Sequence, residues 1–552
     1  MEYKIQKFTG TYADTLEAVG TADLLGELTG VPVRIEDIGD AFRISVVGET
    51  APMDWKPPGP GYPFIFLRNK DGKRPQGRVI DYDEERKKDE AARLYRRPNG
   101  KKKAELEQVL REQGLPEPEQ PTREYRMASI LASMRMGWDA DKKLYRWIVE
   151  HPEKALEWAR ARLTSGDEFV PPVRLSNSQF FSPATGKGVH AAKTVAKSPG
   201  AISKEVVDPF SEWMKYRGAY SAMLPYRVGK DIKVYVIEPG DIDVEALRAL
   251  RHTLMDLNLW GGIRLDIESS LRLAEQLILK SDVMGRQIGL RRRRPNEIVK
   301  GLRQAFFKNL GTASALMNDA FMPLPGWFVI SDRGAANAFL GIIEEHIGTQ
   351  KGAERTAGSL GSLAESRSGD VPVLQQYRKW LTTGELSDFL EFTARFAVHI
   401  MQRRGVKELS IVNIKELLVR GYPMKAEEII TNDGFLSVAR AIRNSTIYAL
   451  SLKKREVRFG LAQDWKQKMK GGSKSFLPLL ADFVQQYNWE TEHRLKGKGH
   501  TVKSHELDKV FGLIDEHGAE LVGMLLLAYG FARPPKTDPG TEAADDESSG
   551  VA

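Results

Sequence analysis

The chain has 552 residues, 41% of them hydrophobic and 28% charged, an ordinary globular composition with length for about three or four domains. It contains no cysteine, which excludes disulfides, thiolate zinc sites, iron–sulfur clusters and cysteine nucleophiles and fits a reducing cytoplasm. Its formal charge is +8, and because residues 533–552 hold two basic and five acidic groups, the first 532 residues carry +11. Such an excess points to a polyanionic partner, most often nucleic acid, against the plainer option of a basic soluble enzyme. MEYKIQKFTG at the N-terminus has no apolar core of a signal peptide. The longest apolar stretch, Leu521 to Ala532, is shorter than the ~20 residues that cross a bilayer. It reads as a buried terminal helix, and a cytoplasmic protein without membrane contact is expected.

In chain order, Lys4 to Phe8 reads as a strand and Tyr12 to Leu28 as a helix ending at Gly30. Val33, Ile35, Phe42, Ile44 and Val46 alternate about Gly39-Asp40, as in a hairpin. Residues 51–63 (APMDWKPPGPGYP) are an extended connector. From Arg68 to Lys103 fourteen basic and seven acidic residues with few apolar ones predict a solvated arm. Helices are expected over Arg123 to Met136, Asp139 to Val149 and Pro152 to Leu163. Ile232 to Ile237 (IKVYVI) is a strand, followed by helices at Val244 to Leu257, capped by Asp243, at Ile267 to Lys280, and at Asn296 to Leu310. Half of residues 356–369 are Gly or Ser, which predicts a flexible linker and a domain boundary. Beyond it every segment is helical: Glu385 to Arg404, Ile414 to Arg420, Phe435 to Lys454, Phe476 to Tyr487, Glu506 to Glu516 and Ala519 to Tyr529.

The fold class is therefore an α+β N-terminal region followed by an all-α C-terminal helical bundle. Residues 1–120 form the α+β region with its basic arm, and 121–355 a mixed, mainly helical body carrying nucleic-acid-contacting loops. The linker spans 356–371, the bundle 372–532, and a disordered acidic tail 533–552.

Catalytic motifs are missing. There is no HExxH, no GxSxG, and Gly186-Lys187-Gly188 lacks the hydroxyl residue and the earlier glycine of a phosphate-binding loop. Asp241 and Asp243 suit a cation on one face, but better suit a helix N-terminus. With Asp266 they make the carboxylate site of an alternative, a nucleic-acid-processing metalloenzyme.

Basic segments are more informative. Arg440 to Lys474 holds ten basic and two acidic residues, a local +8, and charge at that density suits a phosphate backbone. Arg440, Arg443, Lys453, Lys454, Arg455, Arg458, Lys466 and Lys468 are its backbone candidates, with Trp465 placed to stack on an unpaired base. The alternative is a solvated basic face around a core tryptophan. Arg286 to Lys308 has eight basic residues and one acidic, with Arg291, Arg292, Arg293 and Arg294 consecutive, suited to phosphates or to a solvated loop. In Leu175 to Lys197 (LSNSQFFSPATGKGVHAAKTVAK), Asn177, Gln179 and Lys187 are candidates for reading base edges, and Lys193 and Lys197 for holding phosphates. Phe180 and Phe181 are either a wedge or a loop anchor.

FLSVARAIRNSTIYAL, VRFGLAQDWKQKM and FLPLLADFVQQYN, within Phe435 to Asn488, resemble the C-terminal helices of the large subunit of type I CRISPR–Cas surveillance complexes (Cascade), of the A/B kind. NSQFFSPATGKG followed by DPFSEWMKYRGAY is similar to the same family. The close resemblance covers about a fifth of the chain and carries over regions rather than single contacts.

It implies a non-catalytic subunit, without cofactor, that reads a protospacer-adjacent motif in target duplex DNA and promotes strand separation and R-loop formation. The implied partners are CRISPR RNA, target duplex and displaced strand, and the backbone and 5′-handle-binding Cascade subunits. They also include a small subunit, made by internal translation in some family members (here from Met401 or Met424), and a helicase–nuclease or transposition effector. Base pairing would read the long sequence while protein reads the short motif. A guide-independent RNA-binding scaffold is the remaining alternative.

Overall fold

The computed structural model describes residues 1–48, 54–56, 64–66, 72–73, 79–96, 101–134, 144–165, 180–181, 183, 208–257, 259–281, 295–311, 314–351, 354–452 and 456–535. They form two compact units: Met1–Trp260 with Gln287–Met322, and Gly261–Arg286 with Pro323–Ala552. The first is an α+β unit and the second is mostly helical, the fold class the sequence predicts. Among the described residues, no helix is long and apolar enough to cross a membrane.

The first unit opens with β1 (Glu2–Gln6), α1 (Tyr12–Thr29), β2 (Val33–Asp37) and β3 (Ala41–Val46). Thr11 Oγ1 accepts from the Ala13 amide to cap α1, and Gly30, at φ 69°, ends it in the left-handed conformation. The β2–β3 hairpin turns at Gly39, and its alternating apolar residues face inward as predicted. Next come β4 (Phe64–Phe66), β5 (Val79–Asp81), α2 (Tyr82–Arg96), α3 (Lys101–Glu112), α4 (Tyr125–Ser133), α5 (Leu144–Glu150), α6 (Pro152–Arg160) and α7 (Pro209–Ala222). The unit closes with β6 (Met223–Val228), β7 (Asp231–Pro239), β8 (Asp241–Asp243), α8 (Val244–Asp256), β9 (Val299–Asn309) and β10 (Ser314–Pro323). Two four-stranded sheets result, ordered β1-β3-β2-β8 and β10-β9-β7-β6.

Two expectations are corrected in this unit. The segment 296–310 is mainly strand, not helix: β9 pairs antiparallel with β7 from Ile232↔Phe307 to Pro239↔Val299. Its apolar residues fit either period, but Gly301 weakens a helix and β7 supplies a ladder. The predicted basic arm contains β5, parallel to β4, and α2, with Asp81, Glu85 and Ala92 buried.

The second unit comprises α9 (Ile263–Lys280), α10 (Arg333–Ile347), α11 (Val371–Thr383), α12 (Leu386–Gln402), α13 (Ile411–Gly421) and α14 (Pro423–Thr431). It continues with α15 (Asp433–Ser445), α16 (Ile447–Leu452), α17 (Leu461–Met469), α18 (Ser473–Arg494), α19 (Ser504–His517) and α20 (Ala519–Gly530). Nearly all of α20 is buried, packed against α12, α15, α17 and α19, so the apolar C-terminal stretch is the buried helix expected.

A third expectation fails here: the Gly/Ser-rich stretch is neither a linker nor a unit boundary. Ser359, Leu360 and Leu363 are buried. The Glu365 carboxylate accepts from the Gly262 amide at 2.8 Å and the Arg264 amide at 2.6 Å, capping α9 from a distant part of the chain. Small residues here permit close approach: a Cβ on Gly358 would lie 2.4 Å from the Gly348 nitrogen.

Packing of α1 on α7 is closer than side chains allow. A Cβ on Gly20 would lie 1.8 Å from the Met214 oxygen, and one on Gly218 2.0 Å from the Leu16 oxygen. Gly218→Ala should therefore destabilise by about 2–3 kcal/mol by forcing the helices apart. Gly26→Ala, whose Cβ would meet nothing nearer than 3.7 Å, should gain up to ~1 kcal/mol of helix propensity. Chemical denaturation separates the two; equal effects would refute close packing as the reason for Gly218.

Buried His346 shares a 2.7 Å hydrogen bond with the Tyr377 hydroxyl. Burial lowers its pKa to about 4, with Glu345 opposing. The unfolded chain takes up this proton first, so the contribution is complete above pH 6.5 and is lost as pH falls towards 4. Over that range the wild type should lose about 3 kcal/mol more than His346→Gln, measured by urea unfolding.

Candidate nucleic-acid interface

Much of the predicted site lies outside the described residues: Asn177, Gln179, Lys187, Lys193, Lys197, Arg291, Arg292, Arg293, Arg294, Lys453, Lys454 and Arg455. Phe180 and Phe181 are described. Both are buried, and the Phe180 carbonyl accepts from the Tyr12 hydroxyl at 2.6 Å. They anchor the chain and are not an exposed wedge.

The remaining candidates divide by burial. Arg443 points inward from α15, donating to Glu408 at 2.7 Å and to the Ala532 carbonyl, with its guanidinium 5.0 Å from the Tyr448 ring centroid. Arg458 pairs with Glu490 at 3.0 Å and lies over Phe483. Lys466 pairs with Glu391. Trp465 is 2% exposed and packs edge-on against Phe476 and Phe483, at 5.3 and 5.2 Å. Its ring has no open face for a base, so stacking at Trp465 is withdrawn: the α17–α18 contact needs a large apolar group there. Arg443, Arg458 and Lys466 tie the unit together through ion pairs.

Arg440 and Lys468 are exposed, as are Lys470 and Lys474. Among the described residues none of these four forms an ion pair, so their charge remains available to solvent. The three segments that carry the family resemblance fold into α15–α18. Contacts of α18 with both α15 and α17 hold them together. Phe435, Trp465, Phe476, Phe483 and Tyr487 turn inward, whereas Tyr448 and Phe459 are exposed; Arg440, Lys468, Lys470 and Lys474 face solvent, as do Asp464 and Asp482.

Carboxylate chemistry finds less support. Asp241 pairs with Arg34, and Asp243 stands opposite Arg34 in the β2–β8 register. Asp266, in the other unit, pairs with Arg378 at 2.8 Å. The one group among the described residues with metal-ligand spacing is Glu428, Glu516 and His517, at the surface.

Ser362, His399 and Asp370 fall into nucleophile–base–acid order. Ser362 Oγ is 3.1 Å from His399 Nε2, and His399 Nδ1 is 3.4 Å from Asp370 Oδ1. Acyl transfer also needs amide donors for an oxyanion. The nearest amides are already used: Leu363 donates to Leu360 O at 3.1 Å and Ala364 to Asp370 at 2.8 Å. Burial raises the Asp370 carboxyl, but the Ala364 amide, the Arg367 guanidinium and His399 outweigh it and hold its pKa below the ordinary value. The trio pins the 356–370 segment.

The first unit also holds a groove that the sequence did not reveal, because its lining comes from α2, residues 120–130, β6 and the end of α8 through Trp260. The long spacing between these segments leaves no motif to find.

No protein-family model and no curated protein sequence matches the chain.

Trp465→Ala should lower stability by about 3–5 kcal/mol, whereas Arg440→Ala and Lys468→Ala should each change it by less than about 0.5 kcal/mol. Thermal unfolding checks this; an unshifted midpoint for W465A would argue against the core assignment.

Proposed function

We propose that the chain is the non-catalytic large subunit of a CRISPR RNA-guided DNA surveillance complex. In that role it recognises a protospacer-adjacent motif in duplex DNA, promotes strand separation and R-loop formation, and helps recruit the effector. The observation that carries the proposal is that the segments resembling the Cascade large subunit form adjoining helices, with exposed Arg440, Lys468, Lys470 and Lys474 at their surface. Exposed cations of this kind attract a nucleic-acid backbone largely without reading its sequence. The order of α+β unit and helical unit also agrees with the family. Nucleic acid enters as a partner through charge and resemblance together; CRISPR RNA and the companion subunits enter through resemblance alone.

Gentle purification of the tagged protein from its native cells, followed by sequencing of bound RNA, is the deciding test. The expected outcome is short RNAs sharing one constant 5′ end. Heterogeneous RNA would favour the guide-independent scaffold, and no RNA would remove the surveillance complex.

Replacing Arg440, Lys468, Lys470 and Lys474 together with Gln should weaken binding on every sequence. It should also reduce the slope of log K against log salt by roughly 0.7–0.9 for each phosphate no longer neutralised. An unchanged slope excludes this face from the nucleic-acid path.

A further inference from the structure

The groove in the first unit has a volume of about 640 Å³ and is lined by Arg93, Arg123, Arg126 and Arg227. Only two lining residues, Asp89 and Asp256, are acidic. Both are engaged by arginines of the same groove: Asp89 by Arg93 at 2.6 Å and Asp256 by Arg123 at 3.3 Å. Arg126 donates to the Met255 carbonyl at 3.1 Å and lies 5.9 Å from the Tyr226 ring centroid. Arg227 is exposed and donates to the Ser129 carbonyl at 3.0 Å and the Ser129 hydroxyl at 3.2 Å, both neutral acceptors. The lining therefore keeps a positive excess.

Trp260 also lines the groove and is 64% exposed, although its neighbour Leu259 is buried. An indole left in water beside several guanidinium groups is an uncommon arrangement for a merely solvated surface. It is the combination that holds single-stranded nucleic acid: a flat π face for a base and positive groups for phosphates.

We infer that this groove binds single-stranded nucleic acid, with an unpaired base stacked on Trp260 and the adjoining phosphate at Arg227. The volume suits roughly one or two nucleotides rather than a duplex, and stacking requires a base freed from its pair. Arginine forks match phosphate oxygens in two-point contact. An acidic peptide would use the arginines but leave the indole without a partner of matching shape. The inference rests on these residues alone, in a different unit from the basic face of α15–α18, and does not need a guide RNA.

The test uses the full chain with fluorescein-labelled 12-mers of deoxythymidine and uridine, and a labelled 12-residue polyglutamate as competitor class. Trp260→Ala and Arg227→Ala should each weaken oligonucleotide binding about tenfold, and Trp260→Phe should retain most of it. Because both side chains are exposed, the thermal midpoint should not move. Oligonucleotides carrying 5-iodouracil should photocrosslink to the tryptic peptide of residues 252–264, which contains Trp260, and the crosslink should vanish in W260A. DNA binding as tightly as RNA indicates a displaced strand as occupant; preference for RNA indicates a guide or transcript. Either supports the groove. Undiminished binding by W260A with crosslinks only in other peptides overturns it, as does polyglutamate binding equal to that of the oligonucleotides. Neither result bears on whether native cells load the protein with uniform RNA, so this inference and the surveillance-complex proposal fail separately.

Discussion

The first unit depends on two helices meeting backbone to backbone. Gly20 and Gly218 leave no side chain between α1 and α7, and each glycine faces a main-chain carbonyl of the other helix at a distance that any Cβ would violate. This contact places the buried Asp23 carboxylate against Arg217, at 3.0 and 2.7 Å, and within reach of Arg248 from α8. A carboxylate in that position without its guanidinium partners would be strongly destabilising. The small residues and the charged ones are thus a single requirement. Because α1 is buried on almost every side, the helix is a core element from which both flanking sheets take their position.

Order in the second unit rests on a different device, carboxylates that collect main-chain amides. Glu365 closes the start of α9, while Asp370 holds Ala364, Arg367 and His399. A segment rich in Gly and Ser loses much entropy on folding and has little apolar surface to offset it. Here charged hydrogen bonds and the close approach of Gly348 and Gly358 supply what side-chain burial does not. The Ser362–His399–Asp370 trio belongs to this scheme: its polar atoms are engaged in holding a turn.

Charge in the second unit has been divided between structure and surface. Of the ten cations between Arg440 and Lys474, Arg443, Arg458 and Lys466 are engaged by Glu408, Glu490 and Glu391, all outside that segment. A local net charge therefore overstates what remains for a partner. Among the described residues, Arg440, Lys468, Lys470 and Lys474 remain exposed on α15, α17 and α18 or at their ends. The first unit keeps its own excess in a groove, beside an indole that no protein group covers fully. The two sites differ in kind. Exposed lysines on a helical face attract any polyanion, whereas an aromatic face among arginines selects for an unpaired base.

The sequence by itself determined the helix of residues 12–29, the hairpin at Gly39, the strand in β7, the burial of the last apolar helix and the helical character of the C-terminal half. Each is signalled by apolar periodicity and local caps, which act over a few residues. Tertiary structure decided what depended on partners distant in the chain. Residues 299–309 became a strand because β7 offered a ladder to residues whose spacing also fits a helix. The Gly/Ser stretch became ordered because Glu365 meets the α9 amides about a hundred residues away. Trp465 moved from the expected interface into the core because Phe476 and Phe483 close over it. The Trp260 groove was invisible for the same reason: four segments of the chain, none distinctive alone, line it only after folding has brought them together.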